Sequence, residues 1–131
     1  MTNYQRYAVY YAPEPASDLA AFGNTWLGRD PANGRTIDRP DVIGLAAGEA
    51  VAITVSPSRY GFHGTLKPPF ALKHGRTRDQ LEQAIAQYCA DAPSVTCGPL
   101  MLKSIGRFIA LAPTEPTDEL GNLASGLVMA L

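Results

Sequence analysis

Arg59-Tyr60-Gly61-Phe62-His63-Gly64-Thr65-Leu66-Lys67-Pro68-Pro69-Phe70 is the stretch on which the reading of the chain turns. Its alternation is that of a strand, in which every second side chain points the same way. His63, Thr65 and Lys67 therefore project together, and Phe62 and Leu66 point oppositely toward whatever backs the strand. The polar face would offer a proton donor or acceptor, a hydroxyl and a cation in one small patch. Gly61 and Gly64 leave room for a ligand to approach the backbone. Arg59, Lys67, Lys73, Arg76 and Arg78 fall within residues 59–78 together with both histidines and no acidic residue. In a chain of net charge -1 this is a local electropositive segment suited to a phosphate ester. The alternative is a solvated strand edge protected by charge.

Working outward, Arg6-Tyr7-Ala8-Val9-Tyr10-Tyr11-Ala12 is rich in β-favouring residues and stops at Pro13, which predicts a first strand. Ser17 can cap a helix carrying Leu19, Phe22, Trp26 and Leu27 on one face and ended by Gly28. Residues 29–58 hold Pro31, Asn33-Gly34, Pro40, Gly44, Gly48 and Pro57, a turn-rich composition. That segment reads as a long loop bordering a binding site, or as an insertion with a short strand over Val51 to Val55. Thr77 and Gln80 form a capping box ahead of a helix with Leu81, Ala84, Ile85, Tyr88 and Cys89 on one stripe. Val95 to Lys103 and Arg107 to Ala112 predict a hairpin, and a last helix runs from Pro116 and Thr117. The expected class is α+β, a single lobe over residues 1–131 with a mostly antiparallel sheet backed by helices.

The last helix bears Leu120, Leu123, Leu127 and Leu131 on one face, and that stripe continues to Leu131 without a stop signal. The sequence reads as cut within an element at about 117–131. Its apolar face should meet the rest of a longer protein, a second copy in a homodimer, or the lobe's own sheet.

Composition sets the outer limits. The chain has 131 residues, 46% hydrophobic and 18% charged, with 11 Lys+Arg against 12 Asp+Glu. Such a chain typically buries about two-thirds of the surface its unfolded form exposes, enough for a core without disulfides or metal. No run of like charge suits duplex nucleic acid, and no apolar stretch approaches the roughly 20 residues of a membrane span. No continuous apolar stretch follows Met1 to Arg6, so no secretory signal is expected and the cytoplasm is the expected compartment. Cys89 and Cys97 are neither a Cys-x-x-Cys pair nor a zinc set, and read as reduced, buried thiols.

His63-Gly64-Thr65-Leu66 resembles the His-x-Thr-x signature of the two-histidine phosphoesterase superfamily, the LigT-like and RNA-ligase-like proteins. The blocks Arg6 to Pro13, Trp26-Leu27-Gly28-Arg29-Asp30, Tyr60 to Phe70 and Gly106-Arg107-Phe108-Ile109-Ala110-Leu111-Ala112-Pro113 resemble its branch of phosphonate-metabolism proteins of unknown function. The resemblance implies a bilobal fold in which each lobe brings one His-x-Thr-x strand to a cleft. Two histidines would serve as general base and acid, two hydroxyls would hold the phosphate, and neither metal nor other cofactor is needed. On that template His63 is one of the acid/base pair and Thr65 one phosphate clamp, and the substrate is a cyclic phosphodiester of ribose or a related small phosphate ester.

The second His-x-Thr-x is missing from these residues. His74 stands in Lys73-His74-Gly75-Arg76 without a matching hydroxyl and reads as a surface residue. The chain thus resembles the N-terminal lobe, with half of an active site. Lys67 and Arg59 are candidate substrate-binding cations, although Pro68-Pro69 could turn the Lys67 amine to solvent. Tyr10 and Phe108 offer rings for a base or ribose, or serve as core. Tyr60 and Trp26 read as core. Hydrolysis therefore requires completion by a second lobe or partner chain. The competing reading is a non-catalytic module that binds nucleotide or phosphosugar, or one that uses the leucine face for interaction.

Overall fold

The computed structural model describes residues 5–131. The reading of the amino terminus as free of a secretory signal rests in part on residues 1–4, which lie outside them. The elements run β1 (Arg6–Tyr11), α1 (Asp18–Leu27), α2 (Ala47–Tyr60), β2 (Gly64–Ala71), α3 (Arg78–Asp91), β3 (Leu100–Ile105), β4 (Phe108–Pro113) and α4 (Asp118–Ala130). The class is α+β, with β1 paired to β2 and β3 paired to β4 in two small antiparallel sheets. The chain divides into two compact units, one joining the residues up to Val9 with Leu66–Leu131, the other Tyr10–Thr65. Among the described residues no helix is long and apolar enough to cross a membrane.

In the unit Tyr10–Thr65, α1 starts and stops where its sequence signals stand. Ser17 Oγ accepts from the Ala20 amide at 3.2 Å, and Gly28 at φ 69 donates its N–H to the last-turn carbonyls of Asn24 and Thr25. The buried line, however, is Ala20, Gly23 and Leu27. It lies one residue round the helix from the expected stripe, leaving Leu19 and Trp26 half-buried and Phe22 56% exposed. Small residues face inward because Phe62 comes in over Gly23, where a Cβ would overlap its ring.

The short strand expected at Val51 to Val55 is a helix. Val51, Ile53 and Val55 favour strands, but Ala47, Ala50 and Ala52 are strong helix formers and the Glu49 carboxylate accepts from the Ala46 amide at 3.2 Å, closing the first turn. Ala50 and Thr54, four apart, bury one side of α2. Arg39 fixes that side: Nη1 donates to Trp26 O at 3.0 Å, Ala50 O at 3.0 Å and Thr54 Oγ1 at 2.7 Å, and Nη2 to Leu27 O at 2.7 Å. Arg59 and Tyr60 belong to this helix, not to the following strand, and Tyr60 is 61% exposed where a core residue was expected. Residues 29–36 close into a small bracket through the Arg29–Thr36 bridge.

In the other unit, Thr77 and Gln80 make the capping box of α3, with side-chain to backbone bonds of 3.2 and 3.1 Å. The hairpin pairs Leu100 with Pro113 through Ile105 with Phe108 across the two-residue turn Gly106-Arg107. On α4 the stripe Leu120, Leu123, Leu127 and Leu131 turns into its own unit: Leu127 is 1% exposed and the others are half-buried. That face is therefore taken up within the unit at Leu127, and the outward residues are Val128 and Met129. Tyr88 reaches α4, its hydroxyl donating to Leu123 O at 3.4 Å. Cys89, about 100° further round α3, is consequently exposed and Cys97 half-buried, against the expectation of buried thiols.

Two stability changes follow. Gly23→Ala should destabilise by about 1 to 3 kcal/mol through overpacking against Phe62, although alanine is the better helix former by ~1 kcal/mol. The loss should shrink when Phe62→Leu is added, as a urea double-mutant cycle would measure. Arg39→Met should lower the urea midpoint at unchanged slope by an amount equivalent to roughly 2 to 3 kcal/mol, because it removes the charged donor shared by Trp26 O, Leu27 O, Ala50 O and Thr54 Oγ1.

Candidate functional site

His63 leaves α2 through a glycine turn. Gly61 has φ 77 and ψ 174, its N–H donates to Pro57 O at 3.1 Å, and a Cβ there would stand 2.6 Å from Pro31 Cβ. Any other residue would meet both backbone strain and Pro31. β2 begins only at Gly64, so strand alternation does not set the direction of His63; the turn and its neighbours do.

The imidazole is half-buried and stacked on Tyr10, ring centroids 3.8 Å apart and planes inclined by 20°. Its Nδ1 lies 2.8 Å from Gly61 O. A carbonyl oxygen only accepts, so Nδ1 carries the proton in this contact and the neutral ring keeps its lone pair on Nε2. That is the arrangement of a histidine able to take a proton at Nε2. Thr65 follows two residues on, exposed at the start of β2. Tyr10 thus meets the histidine ring face to face.

The other candidates are placed differently. Lys67 is 8% exposed, and its Nζ donates to Val128 O and Leu131 O, each at 3.2 Å, while lying 4.2 Å from the centroid of the Phe70 ring. The cation serves the carboxyl end of α4, where helix carbonyls favour positive charge. Arg59 is exposed on the last turn of α2, and Phe108 is exposed at the start of β4. His74 is exposed in a loop. Arg78 is paired with Glu82 at 2.8 Å, a hydrogen bond that raises the guanidinium pKa. Among the described residues no three His, Cys, Asp or Glu side chains gather as a metal site.

Two arginines carry structure that sequence patterning does not reveal. Arg29 Nη1 donates to Ser58 O at 2.8 Å and to Arg59 O, in the last turn of α2. Arg39 does the same for α1 while gripping α2. Arg29 had a signal, its position directly after the helix-ending Gly28; Arg39, between Asp38 and Pro40 in a turn-rich stretch, had none.

Two curated relatives are similar over nearly all of this chain, and both are named ribose 1,5-bisphosphate phosphokinase PhnN. The one from Janthinobacterium sp. (strain Marseille) is 34% identical over 119 residues, 91% of this chain and 26% of its own length. The one from Laribacter hongkongensis (strain HLHK9) is 34% identical over 128 residues, 96% of this chain and 30% of its own length. The chain therefore spans less than a third of the curated relatives it matches. No solved structure matches. Residues 65–131, just over half of the chain, match the family described as "Protein of unknown function (DUF1045)", and the chain belongs to that family.

Proposed function

We propose that this chain is one lobe of a two-histidine phosphoesterase, acting on a cyclic phosphodiester of ribose or a related small phosphate ester within phosphonate breakdown. The observation that carries the reading is the His63 imidazole held by Gly61 O at Nδ1, with Nε2 left as the proton acceptor and the Thr65 hydroxyl two residues away in sequence. The name of the curated relatives supports a phosphorylated ribose as the substrate class. It does not point to phosphoryl transfer by this stretch, because the chain contains no G-x-x-x-x-G-K-[ST] loop to cradle a nucleoside triphosphate.

In the reaction, water attacks phosphorus and gives its proton to His63 Nε2, one P–O bond of the ring breaks, and the departing oxygen takes a proton from an acid on the other side. Thr65 Oγ donates to a non-bridging oxygen. The acid and the second clamp come from a second His-x-Thr, which this chain lacks. The single half-site equally favours a second reading, a nucleotide- or phosphosugar-binding module without turnover.

Titrating 2′,3′-cyclic AMP against the imidazole resonances tests both. Saturable movement of the His63 signals, with His74 unmoved and the response lost in His63→Ala, is the expected result. In the protein completed by a second lobe or partner chain, hydrolysis should fall by about 10²- to 10⁴-fold in the same variant, the usual contribution of one positioned acid or base. Binding without hydrolysis in that protein would select the second reading. A His63 that does not respond at millimolar ligand would overturn both.

A further inference from the structure

We infer that Arg29 is a positioning residue for the His63 imidazole, acting through the carboxyl end of α2 and the Gly61 peptide. The inference rests on the reading of His63 as the base, but its test needs no substrate.

The last four carbonyls of a helix have no partner within it. In α2 the Pro57 carbonyl is taken by the Gly61 N–H, and the Ser58 and Arg59 carbonyls are taken by Arg29 Nη1. A cation at that end also meets the negative pole of the helix. Two residues on from Arg29, Pro31 lies against Gly61 so closely that a Cβ there would be 2.6 Å from Pro31 Cβ. One short segment therefore grips both the helix end and the turn that leads to His63.

That segment is itself braced. Asp30 N–H donates to Arg35 O at 2.9 Å and Gly34 N–H to Asp30 O at 2.7 Å. The Asp30 carboxylate accepts from the Ala32 amide at 2.9 Å and from Asn33 Nδ2 at 3.1 Å, and Asn33 Oδ1 accepts from the Arg35 amide at 2.8 Å. The Arg29 guanidinium is thus delivered from a fixed bracket, not from a mobile loop tip.

Gly61 O is the acceptor that keeps the proton on Nδ1 of His63. Gly61 holds a backbone conformation few residues adopt, and its peptide is free to rotate if its surroundings loosen. Rotation of that carbonyl would release Nδ1 and allow the proton to move to Nε2, which would then no longer accept one. At this end Arg29 meets the backbone carbonyls of Ser58 and Arg59 rather than the imidazole. Its effect on chemistry is the selection of a tautomer.

The measurement is a two-bond 1H–15N correlation of the imidazoles in the ligand-free protein, comparing wild type with Arg29→Gln and Arg29→Lys. In wild type the two His63 nitrogens should be well separated, in the pattern of an Nδ1–H ring. In Arg29→Gln they should move toward each other as the tautomers mix, with His74 unchanged. Lysine, which keeps the charge but not the fork, should give an intermediate shift. If Arg29→Gln proves unfolded by circular dichroism, Pro31→Ala is read in the same way, since it loosens the same turn without removing a charge. His63 signals that stay at their wild-type positions in a folded variant would overturn the inference, leaving Arg29 as a stabilising contact only. Failure of cyclic AMP to bind wild type would overturn the proposed function and leave the tautomer result standing.

Discussion

Satisfaction of the carbonyls at the ends of α1 and α2 is the constraint on which the unit Tyr10–Thr65 depends. α1 has no basic residue in its last turn and Arg59 of α2 is exposed, and each helix end is instead closed by an arginine from outside that helix. Arg39 collects Trp26 O and Leu27 O of α1 together with Ala50 O and Thr54 Oγ1 of α2. Ser58 Oγ of α2 adds a donor to Leu27 O at 3.2 Å. Arg29, the first residue past Gly28, returns the arrangement by closing α2. A guanidinium suits this work because its donors lie in one plane and fan toward several oxygens, which an ammonium cannot do. With buried side chains as small as Ala20, Ala50 and Thr54, apolar area is limited, and these hydrogen bonds define how α1 lies against α2.

Local signals made most elements legible. Ser17 and Gly28 bound α1, Thr77 and Gln80 open α3, and Gly106 closes the hairpin, because caps and turns are decided by a few neighbouring residues. What escaped was decided at a distance. α2 carries β-branched residues, and its partner Arg39 stands in a stretch with no periodicity, so the tertiary contact that overrides propensity leaves no trace in the pattern. The rotation of α1 has the same origin. Its inward face is chosen by Phe62, which needs a residue without a side chain beneath it, whereas hydrophobic periodicity counts only large residues.

The candidate site shows the same division. The His63-Gly64-Thr65 spacing was visible, but the direction of the imidazole is set by Gly61 and Tyr10 rather than by strand parity, which starts a residue too late to govern it. Parity places Lys67 on the side of Thr65, yet its ammonium is drawn to the unpaired carbonyls at the end of α4, 61 and 64 residues further along. A long side chain ends where its charge is best accommodated, and strand geometry fixes only its first bond.

These placements bear on how an anion would be recognised. The basic segment suggested recognition by charge, but Lys67 serves a helix terminus and Arg78 pairs with Glu82. Arg59, Lys73 and Arg76 stay exposed, where water and salt weaken a cation's pull on a bound phosphate. On the function proposed above, exposed charge would attract a phosphate ester more than hold it. Holding would fall to a neutral donor, the Thr65 hydroxyl. An imidazole whose Nδ1 is occupied by the Gly61 carbonyl presents Nε2, the atom the proposed base would use. Lys67 is committed to the end of α4, and the roles proposed for this segment therefore fall to Nε2 of His63 and the hydroxyl of Thr65.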